Sequence, residues 1–253
     1  MAIAQSPSTR SELAARSGAF LARHRMFIAV ELVLLIATLA LVVIVKGRPG
    51  PLPGDVSITL WWQHLARPQQ VLKAVLDEVS AINWPMQAAI TIGVIVAAFA
   101  LLRRWLDILV ALSVLLADLT NFIINQIVQR PRPIGHGVLV DRMITGVYSF
   151  PSGHVEHALA FLGMVVFLTF QVRRSGPWLT PLLWVVRIAL LAEIVLMSPS
   201  RVLQGEHWPS DGLAGLLWGG FWLLVGIQVY FWAARRWPRL LGIDERPAAP
   251  AVA

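Results

Sequence analysis

The sequence predicts an all-α membrane protein that crosses the bilayer six times and carries an interfacial helix in its first outer loop. Hydrophobic residues make up 57% of the 253 residues and charged residues only 14%, which is too apolar for one soluble core. Six long, almost uncharged runs each approach the roughly 20 residues that a helix needs to cross a bilayer. Arginines mark the ends of these runs in a pattern typical of multi-pass membrane proteins.

The six spans follow from the apolar runs between basic or proline-rich segments. In chain order they are residues 26–45, 85–102, 106–128, 154–172, 180–198 and 211–233. The first run follows basic residues, as a secretory signal would, but it is too long for a typical signal core and is interpreted as an anchor. We therefore expect one membrane domain, residues 26–236, between cytoplasmic tails at residues 1–25 and 237–253.

Arginine placement predicts the orientation of the spans. Arg103 and Arg104 follow the second span, Arg173 and Arg174 follow the fourth, and both tails are basic. The positive-inside rule places these segments in the cytoplasm. The formal net charge of +7 is then an orientation signal, and we expect no nucleic-acid partner. The chain has no cysteine, so no disulfide framework can be inferred.

The first outer loop, residues 46–84, is too polar to cross a membrane. It begins with the proline- and glycine-rich stretch GRPGPLPGD and continues with Val71, Val75, Val79 and Ile82 at helical spacing. This stripe predicts an amphipathic helix. Two placements remain open, because the helix would fit either flat on the outer leaflet or packed over the spans.

Three polar segments lie at the ends of the apolar runs. The first is Arg-Pro-Arg-Pro at residues 130–133, and the second is Pro-Ser-Gly-His at residues 151–154. Ser152 is a good helix N-cap and Gly153 lets the backbone approach a ligand closely, so this helix start can present N–H groups to an anion with His154 beside it. Taken alone, the pattern is more typical of an ordinary helix cap.

The third segment reads SRVLQGEHWPSD and contains Arg201, His207 and Asp211. An aspartate beside one imidazole nitrogen fixes the tautomer and leaves the other nitrogen free to attack, as in catalytic triads. The alternative is that His207 is an interfacial residue and Asp211 only caps a helix. Arginine forks bind phosphate, so the three segments together indicate phosphate transfer at a membrane surface.

In order and spacing, the three segments resemble the type 2 phosphatidic acid phosphatase family. The second and third boxes match completely, as YSFPSGH and SRVLQGEHWPSD. The resemblance covers spans three to six and implies a metal-independent phosphatase in which His207 attacks phosphorus, Asp211 supports it and His154 protonates the leaving oxygen. It also implies four residues that hold the phosphate oxygens: Arg132, Arg201, Ser152 and Gly153.

The chain departs from the family pattern at the start of the first box. Asn125 stands where the family has a lysine, so the expected site has one cation fewer, although an amide can still donate a hydrogen bond. Arg130 is the candidate that supplies the missing charge. Asn121 lies on the same helix face as Asn125, and we expect it to bond between helices.

His154 and His157 are spaced so that both could reach one metal ion. No Asp-x-Asp motif completes such a site, so we predict no metal and no cofactor. We expect His157 to support His154 or to bond across helices.

These observations predict a lipid phosphatase of the plasma membrane or bacterial inner membrane, with its site on the extracytoplasmic side. Its partners would be membrane lipids and a lipid phosphate or pyrophosphate substrate of the phosphatidic acid, phosphatidylglycerol phosphate or undecaprenyl pyrophosphate type. The intermediate would be a phosphohistidine. Two alternatives remain: a lipid phosphotransferase, and a binding or transport protein with reduced turnover.

Overall fold

The computed structural model describes residues 7–82, 84–113, 115–142, 148–172 and 177–236, and it describes side chains from residue 25 onward except at residues 85 and 235. Within these residues the chain is helical, without strands, and one π-helical turn, Ala158–Leu162, follows the seventh α-helix. The predicted all-α class is therefore confirmed. In chain order the helices are α1 (Pro7–Gly47), α2 (Asp55–Ala66), α3 (Gln70–Ile82), α4 (Pro85–Leu101), α5 (Trp105–Ser113), α6 (Leu115–Val128), α7 (Gly153–His157), α8 (Gly163–Phe170), α9 (Leu179–Leu203) and α10 (Pro209–Arg236).

Helices of membrane-spanning length correspond to the predicted spans. The pair α3 and α4, bent by 69° at its break, is a further candidate for one span. Since α4 alone has 17 residues, it is short for a complete crossing. The polytopic fold with five to six crossings is thus confirmed. The five stretches that qualify without a bend are Arg25–Gly47, Trp105–Val128, Gly153–Phe170, Leu179–Leu203 and Pro209–Ala234.

Two helices extend beyond their predicted limits. Helix α1 begins at Pro7, because residues such as Ala14, Ala15 and Leu21 favour helix well before the apolar run starts. Helix α9 continues through Pro199 and ends at Leu203, so it carries Arg201 in its last turn. The cytoplasmic placement of the tails stays a prediction. Residues 1–6 and 237–253 and the hinge arginines at 173 and 174 lie outside the described residues.

The first outer loop contains two helices, α2 and α3, of which only α3 was predicted. Leu76 and Val79 on α3 are buried, and the hydroxyl group of Ser200 on α9 donates a hydrogen bond of 2.5 Å to the carbonyl oxygen of Leu76. Helix α3 therefore packs over the end of α9, which is the second of the two placements considered. Its depth relative to a membrane surface stays a prediction.

Helix α10 packs against α1, α5, α7 and α9. Two glycines one turn apart permit close contact with the start of the fourth span. A β-carbon at Gly215 would lie 2.7 Å from the carbonyl oxygen of Ser152, and one at Gly219 would lie 2.7 Å from that of Glu156. Small residues at this spacing let two membrane helices approach closely. The start of α10 is thereby held against the Pro-Ser-Gly-His segment.

One end of the helix bundle gathers the three polar segments. Val45 at the end of α1, Val128 at the end of α6 and Ala214 near the start of α10 form one buried cluster with Phe150. Phe150 belongs to the loop between α6 and α7, so this loop lies across the same end. The chain directions then place the start of α1 and the end of α10 at the opposite end.

Candidate active site

A cavity of about 1010 Å³ opens where the polar segments meet. His154, His207, Arg132 and Arg201 line it, together with Gly153 and Asn125 from the predicted set. The cavity lining does not include the other three predicted residues, Ser152, Asp211 and Arg130.

Backbone hydrogen bonds join the three segments directly. The N–H of Ser149 donates to the carbonyl oxygen of Arg130 at 2.9 Å, and the N–H of Ser152 donates to that of Asp211 at 3.1 Å. Arg132 donates through Nη1 to the carbonyl oxygen of Glu206 at 2.7 Å. The segments predicted from the sequence to meet do meet, and their relative positions are fixed mainly by main-chain groups.

His207 is oriented by a backbone carbonyl group. Its Nδ1 lies 2.7 Å from the carbonyl oxygen of Ser149, and the nearest Asp211 oxygen is farther away, at 3.8 Å. Because Nδ1–H donates to Ser149, the lone pair is on Nε2. Burial lowers the pKa of His207 to about 4, against the opposing effect of Asp211. The imidazole is therefore neutral at pH 7, as a nucleophile must be.

Asp211 acts differently from the expected triad residue. One carboxylate oxygen accepts a 2.8 Å hydrogen bond from the backbone N–H of Trp208 at the start of α10. The other pairs with Nη1 of Arg130 at 2.5 Å. Asp211 thus caps its helix, as the alternative interpretation proposed, and the cap holds the peptide that follows His207.

Arg130 was expected to replace the missing lysine, and that role stays a prediction; in this structure two carboxylates hold its side chain. Its side chain is 0% exposed and it pairs with Asp55 at 2.7 Å as well as with Asp211. Asp55 also accepts a hydrogen bond from the hydroxyl group of Ser210 at 2.7 Å. Removing a buried cation from its two carboxylates would leave those charges unpaired, so the guanidinium group stays in this position. Arg130 therefore connects α2 to the start of α10.

Arg132 and Arg201 are the two arginines of the predicted set that reach the cavity. Nη2 of Arg201 forms an ion pair with the carboxylate of Glu206, and Nη1 hydrogen-bonds the hydroxyl group of Ser80. Burial lowers the pKa of Arg132 below its usual range. Both guanidinium groups carry their positive charge at neutral pH. Because the single carboxylate of Glu206 also lines this part of the wall, the group keeps a net positive charge that is suited to an anion.

His154 and Ser152 present polar atoms that are buried and have no hydrogen-bond partner among the described residues: Nε2 of His154 and the hydroxyl oxygen of Ser152. Ser152 occupies the N-cap position of α7 without making a side-chain cap bond. Buried polar atoms in this condition are uncommon and mark functional sites. His154 lines the cavity, so a phosphate ester bound there would offer an oxygen to its Nε2, whereas Ser152 lies behind the cavity wall.

Asn125 holds a loop through its side-chain amide, and its expected part in phosphate binding stays a prediction. Its Nδ2 donates to the carbonyl oxygen of Tyr148 at 2.9 Å and to that of Phe150 at 3.2 Å. Its Oδ1 is buried and makes no hydrogen bond among the described residues. Since both hydrogens bind the loop before Pro-Ser-Gly-His, the amide positions that loop.

Replacing Asn125 with leucine is expected to destabilise the protein by about 1–3 kcal/mol, because two buried carbonyl groups lose their donor. Thermal unfolding in detergent measures the change. Asn121→Leu is the matched control, since Nδ2 of Asn121 is buried without a partner in the described part of the chain and its loss removes no hydrogen bond from that nitrogen. Equal melting temperatures for the two variants would contradict this role of Asn125.

A second polar group of side chains lies along the cavity wall. His157 Nδ1 lies 3.0 Å from both carboxylate oxygens of Asp118 on α6, so His157 bonds across helices, which is one of the two roles expected for it. The bond between helices that was expected for Asn121 is not seen for its amide nitrogen in the described residues. Glu156 and Asn121 also line this part of the wall.

Sequence reasoning missed three residues of the site: Asp55, Ser149 and Glu206. Ser149 contributes its carbonyl oxygen, which every residue has, so no side-chain signal existed. Asp55 lies in the first outer loop, far from the matched segments. Glu206 directly precedes His207 and could have been found as the acidic residue inside the third segment.

The model of the PAP2 superfamily matches residues 106–235. An undecaprenyl-diphosphatase of Sulfolobus acidocaldarius is 37% identical over 82 residues, which are 32% of this chain and 34% of that protein. A lipid A 1-phosphatase of Rhizobium etli is 27% identical over 139 residues, which are 53% of this chain and 54% of that protein. The matches thus span about a third to about half of these curated relatives.

A solved structure shares the fold over most of its length. It is the crystal structure described as the first transmembrane PAP2 type phosphatidylglycerolphosphate phosphatase from Bacillus subtilis, with a TM-score of 0.64 and 22% sequence identity. The likeness covers 79% of this chain and 94% of that one. At this sequence identity the likeness establishes the shared architecture, and the chemistry of this chain depends on its own site residues.

Proposed function

The chain belongs to the PAP2 superfamily, and we propose that it is a membrane lipid phosphatase that hydrolyses phosphate monoesters or pyrophosphate esters through a phosphohistidine. One observation carries the proposal: a neutral, oriented histidine and a second histidine line the same cavity as two arginines, at the end of membrane-length helices. A phosphate reached from the lipid phase fits this placement.

Each step of the proposed reaction has a residue in the cavity that can perform it. The lone pair on Nε2 of His207 attacks phosphorus while the bond from phosphorus to the lipid oxygen breaks, and His154 gives its proton to that oxygen. A water molecule then attacks the phosphohistidine and gives its proton to His154, which releases inorganic phosphate and restores His207. Arg132 and Arg201 stabilise the charge that builds on the equatorial oxygens in both steps.

Phosphate release from a lipid panel tests the proposal. The purified protein in detergent would be given phosphatidic acid, phosphatidylglycerol phosphate, an undecaprenyl pyrophosphate and a lipid A phosphate. Release without an acceptor lipid supports a hydrolase, whereas release that requires an acceptor identifies a phosphotransferase. Binding without turnover of any of these lipids would identify the binding or transport alternative and overturn the proposal.

Chelation should leave activity unchanged and vanadate should inhibit, because the proposed nucleophile is an imidazole and the cations are arginines. Vanadate adopts the five-coordinate geometry of the phosphorus in the transition state, so it should compete with substrate. Initial rates with EDTA, and with vanadate at several substrate concentrations, check both statements. Activity that is lost in EDTA and restored by a divalent ion would contradict the metal-independent mechanism.

We propose that the site faces the extracytoplasmic side of the plasma membrane or bacterial inner membrane. Arg103 and Arg104 lie in the turn between α4 and α5, at the end of the bundle away from the cavity, and the positive-inside rule assigns that end to the cytoplasm. Reporter domains fused after residue 104 or 174 should be cytoplasmic, and one inserted near Gly137 should be outside. A cytoplasmic reporter at Gly137 would contradict the assignment.

A further inference from the structure

Beyond the phosphate-binding residues, the cavity has a second polar region that the proposed reaction does not use. Asp118 and Asn121 on α6 and Glu156 and His157 on α7 line it, and we call these four residues the acceptor wall. Glu156 and His157 follow His154 within one helical turn, and α7 leads from the cavity mouth into the fourth span. The acceptor wall therefore lies deeper in the membrane than the groups that hold phosphate.

Glu156 is the central residue of the acceptor wall. It is 0% exposed, and neither of its carboxylate oxygens has a hydrogen-bond donor among the described residues. Its neighbour Asp118 is a second acid, so the hydrogen bond between the two side chains requires a proton that the carboxyl groups share; Asp118 also accepts from His157. The shared proton leaves one buried Glu156 oxygen without a donor, which is unfavourable, so a donor from outside the protein would stabilise this arrangement.

Packing directs the Glu156 side chain toward the cavity. The backbone of Glu156 faces α10, where a β-carbon at Gly219 would lie 2.7 Å from its carbonyl oxygen. The other side of α7 faces α6, which brings Asn121 and Asp118 to the cavity. The carboxylate thus shares one wall with His154, the proposed proton donor to the leaving group.

The chemistry of the wall selects among leaving groups. Carboxylate oxygens accept hydrogen bonds from O–H and N–H groups. A prenyl chain offers hydrocarbon, an acyl ester offers further acceptors, and a second phosphate offers negative charge, so none of these supplies the missing donor to Glu156. A hydroxyl or amino group near the phosphoester does supply it.

We propose that the acceptor wall binds hydroxyl or N–H donors next to the scissile phosphate, and so makes the site selective for phosphomonoesters of hydroxylated or amino-bearing lipids over prenyl diphosphates. This inference rests on the proposed phosphatase function and names its substrate class. A site built to hydrogen-bond a substrate group discriminates strongly against analogues that lack the group.

Three single-chain phosphates of similar length and one prenyl diphosphate test the inference. Sphingosine 1-phosphate carries a hydroxyl and an amino group, 1-O-octadecylglycerol 3-phosphate carries only a hydroxyl group, and octadecyl phosphate carries neither. We expect kcat/KM for the two donor-bearing lipids to exceed that for octadecyl phosphate and for farnesyl diphosphate by at least about tenfold. A preference limited to sphingosine 1-phosphate would identify the amine as the recognised group.

Glu156→Gln should move the kcat/KM ratios between donor-bearing lipids and octadecyl phosphate toward one, because the amide has one acceptor fewer and no charge. Glu78→Gln is the control, since it makes the same change at an exposed position on α3, and it should leave these ratios unchanged. An equal loss on all substrates would show a structural role for Glu156 and overturn the inference. Unchanged ratios would also overturn it, since glutamine mimics a carboxyl group that merely shares a proton with Asp118. So would a preference of the natural protein for farnesyl diphosphate.

Binding to the His207→Ala variant separates this inference from the proposed function. Thermal shifts with the same lipids report affinity when no turnover occurs. If the natural protein never releases phosphate but donor-bearing lipids stabilise His207→Ala more than octadecyl phosphate does, the proposed phosphatase function is wrong and the proposed role of the acceptor wall is supported. If the shifts are equal, the acceptor wall fails even where phosphate release is observed.

Discussion

Replacing His207 with alanine is expected to lower phosphate release by at least about 10³-fold, since removal of a nucleophile from a concerted site typically costs this much or more. The imidazole is buried, neutral because burial lowers its pKa to about 4, and held through Nδ1 by Ser149. Alanine removes the attacking nitrogen and leaves the arginines in place. Initial rates with the best lipid of the panel measure the loss.

His64→Ala is the matched control, because His64 is an exposed histidine on α2 and its replacement should leave the rate unchanged. A second readout is the covalent intermediate. Substrate labelled in its phosphate should leave acid-labile, alkali-stable label on the natural protein and none on His207→Ala. Retention of a substantial rate, or of such label, by the variant would exclude His207 as the nucleophile.

The membrane fold could be predicted from the sequence because hydropathy and arginine placement respond to the bilayer itself. Each crossing must satisfy its backbone hydrogen bonds within one helix, so every span is visible as a continuous apolar run. The break between α3 and α4 was predictable, because the second span was expected to begin at Pro85, and proline is favoured at a helix start. Helix α2 was not predicted; its Ala66 is buried in a cluster with Leu76 and Leu203, and a contact of this kind is visible only in the folded chain.

The position of the candidate site could be predicted from side chains whose chemistry is recognisable in the sequence. His154, His207, Arg132 and Arg201 line one cavity, as their motifs indicated. Residues that act through position were assigned less well, because their partners are main-chain groups or lie far away in sequence. Asn125 binds two loop carbonyl groups, a role that resembles neither the family lysine nor a phosphate ligand.

Arg130 shows why counting charges in the sequence does not identify their partners. A cation next to a phosphate-binding motif suggests phosphate binding, and the sequence contains nothing that reveals Asp55 as its partner. The contact joins residues separated by 75 positions, and it forms only when α2 folds over the ends of α6 and α10. Long-range ion pairs of this kind can be found from the folded chain alone.

Replacing Arg130 with methionine is therefore expected to destabilise the protein by about 3–5 kcal/mol, because it leaves the carboxylates of Asp55 and Asp211 buried without a cation. Both acids are almost completely buried, at 3% and 0% exposure, so water cannot replace the guanidinium group. Thermal unfolding in detergent should show a large drop in melting temperature. Arg48→Met, which removes an exposed arginine, should change the melting temperature little.

A second substitution distinguishes the ion-pair role of Arg130 from phosphate binding. Adding Asp55→Asn to Arg130→Met removes one of the two unpaired charges, so it should recover part of the lost stability, although Asp55→Asn alone should destabilise. The effect of Asp55→Asn on stability thus changes from unfavourable to favourable when Arg130 is absent, and this change of sign indicates that the two residues interact directly. A phosphate ligand would behave otherwise: Arg130→Met would keep its melting temperature and raise KM, and Asp55→Asn would not rescue it. That outcome would place Arg130 in the phosphate-binding set and remove the link between α2 and the start of α10.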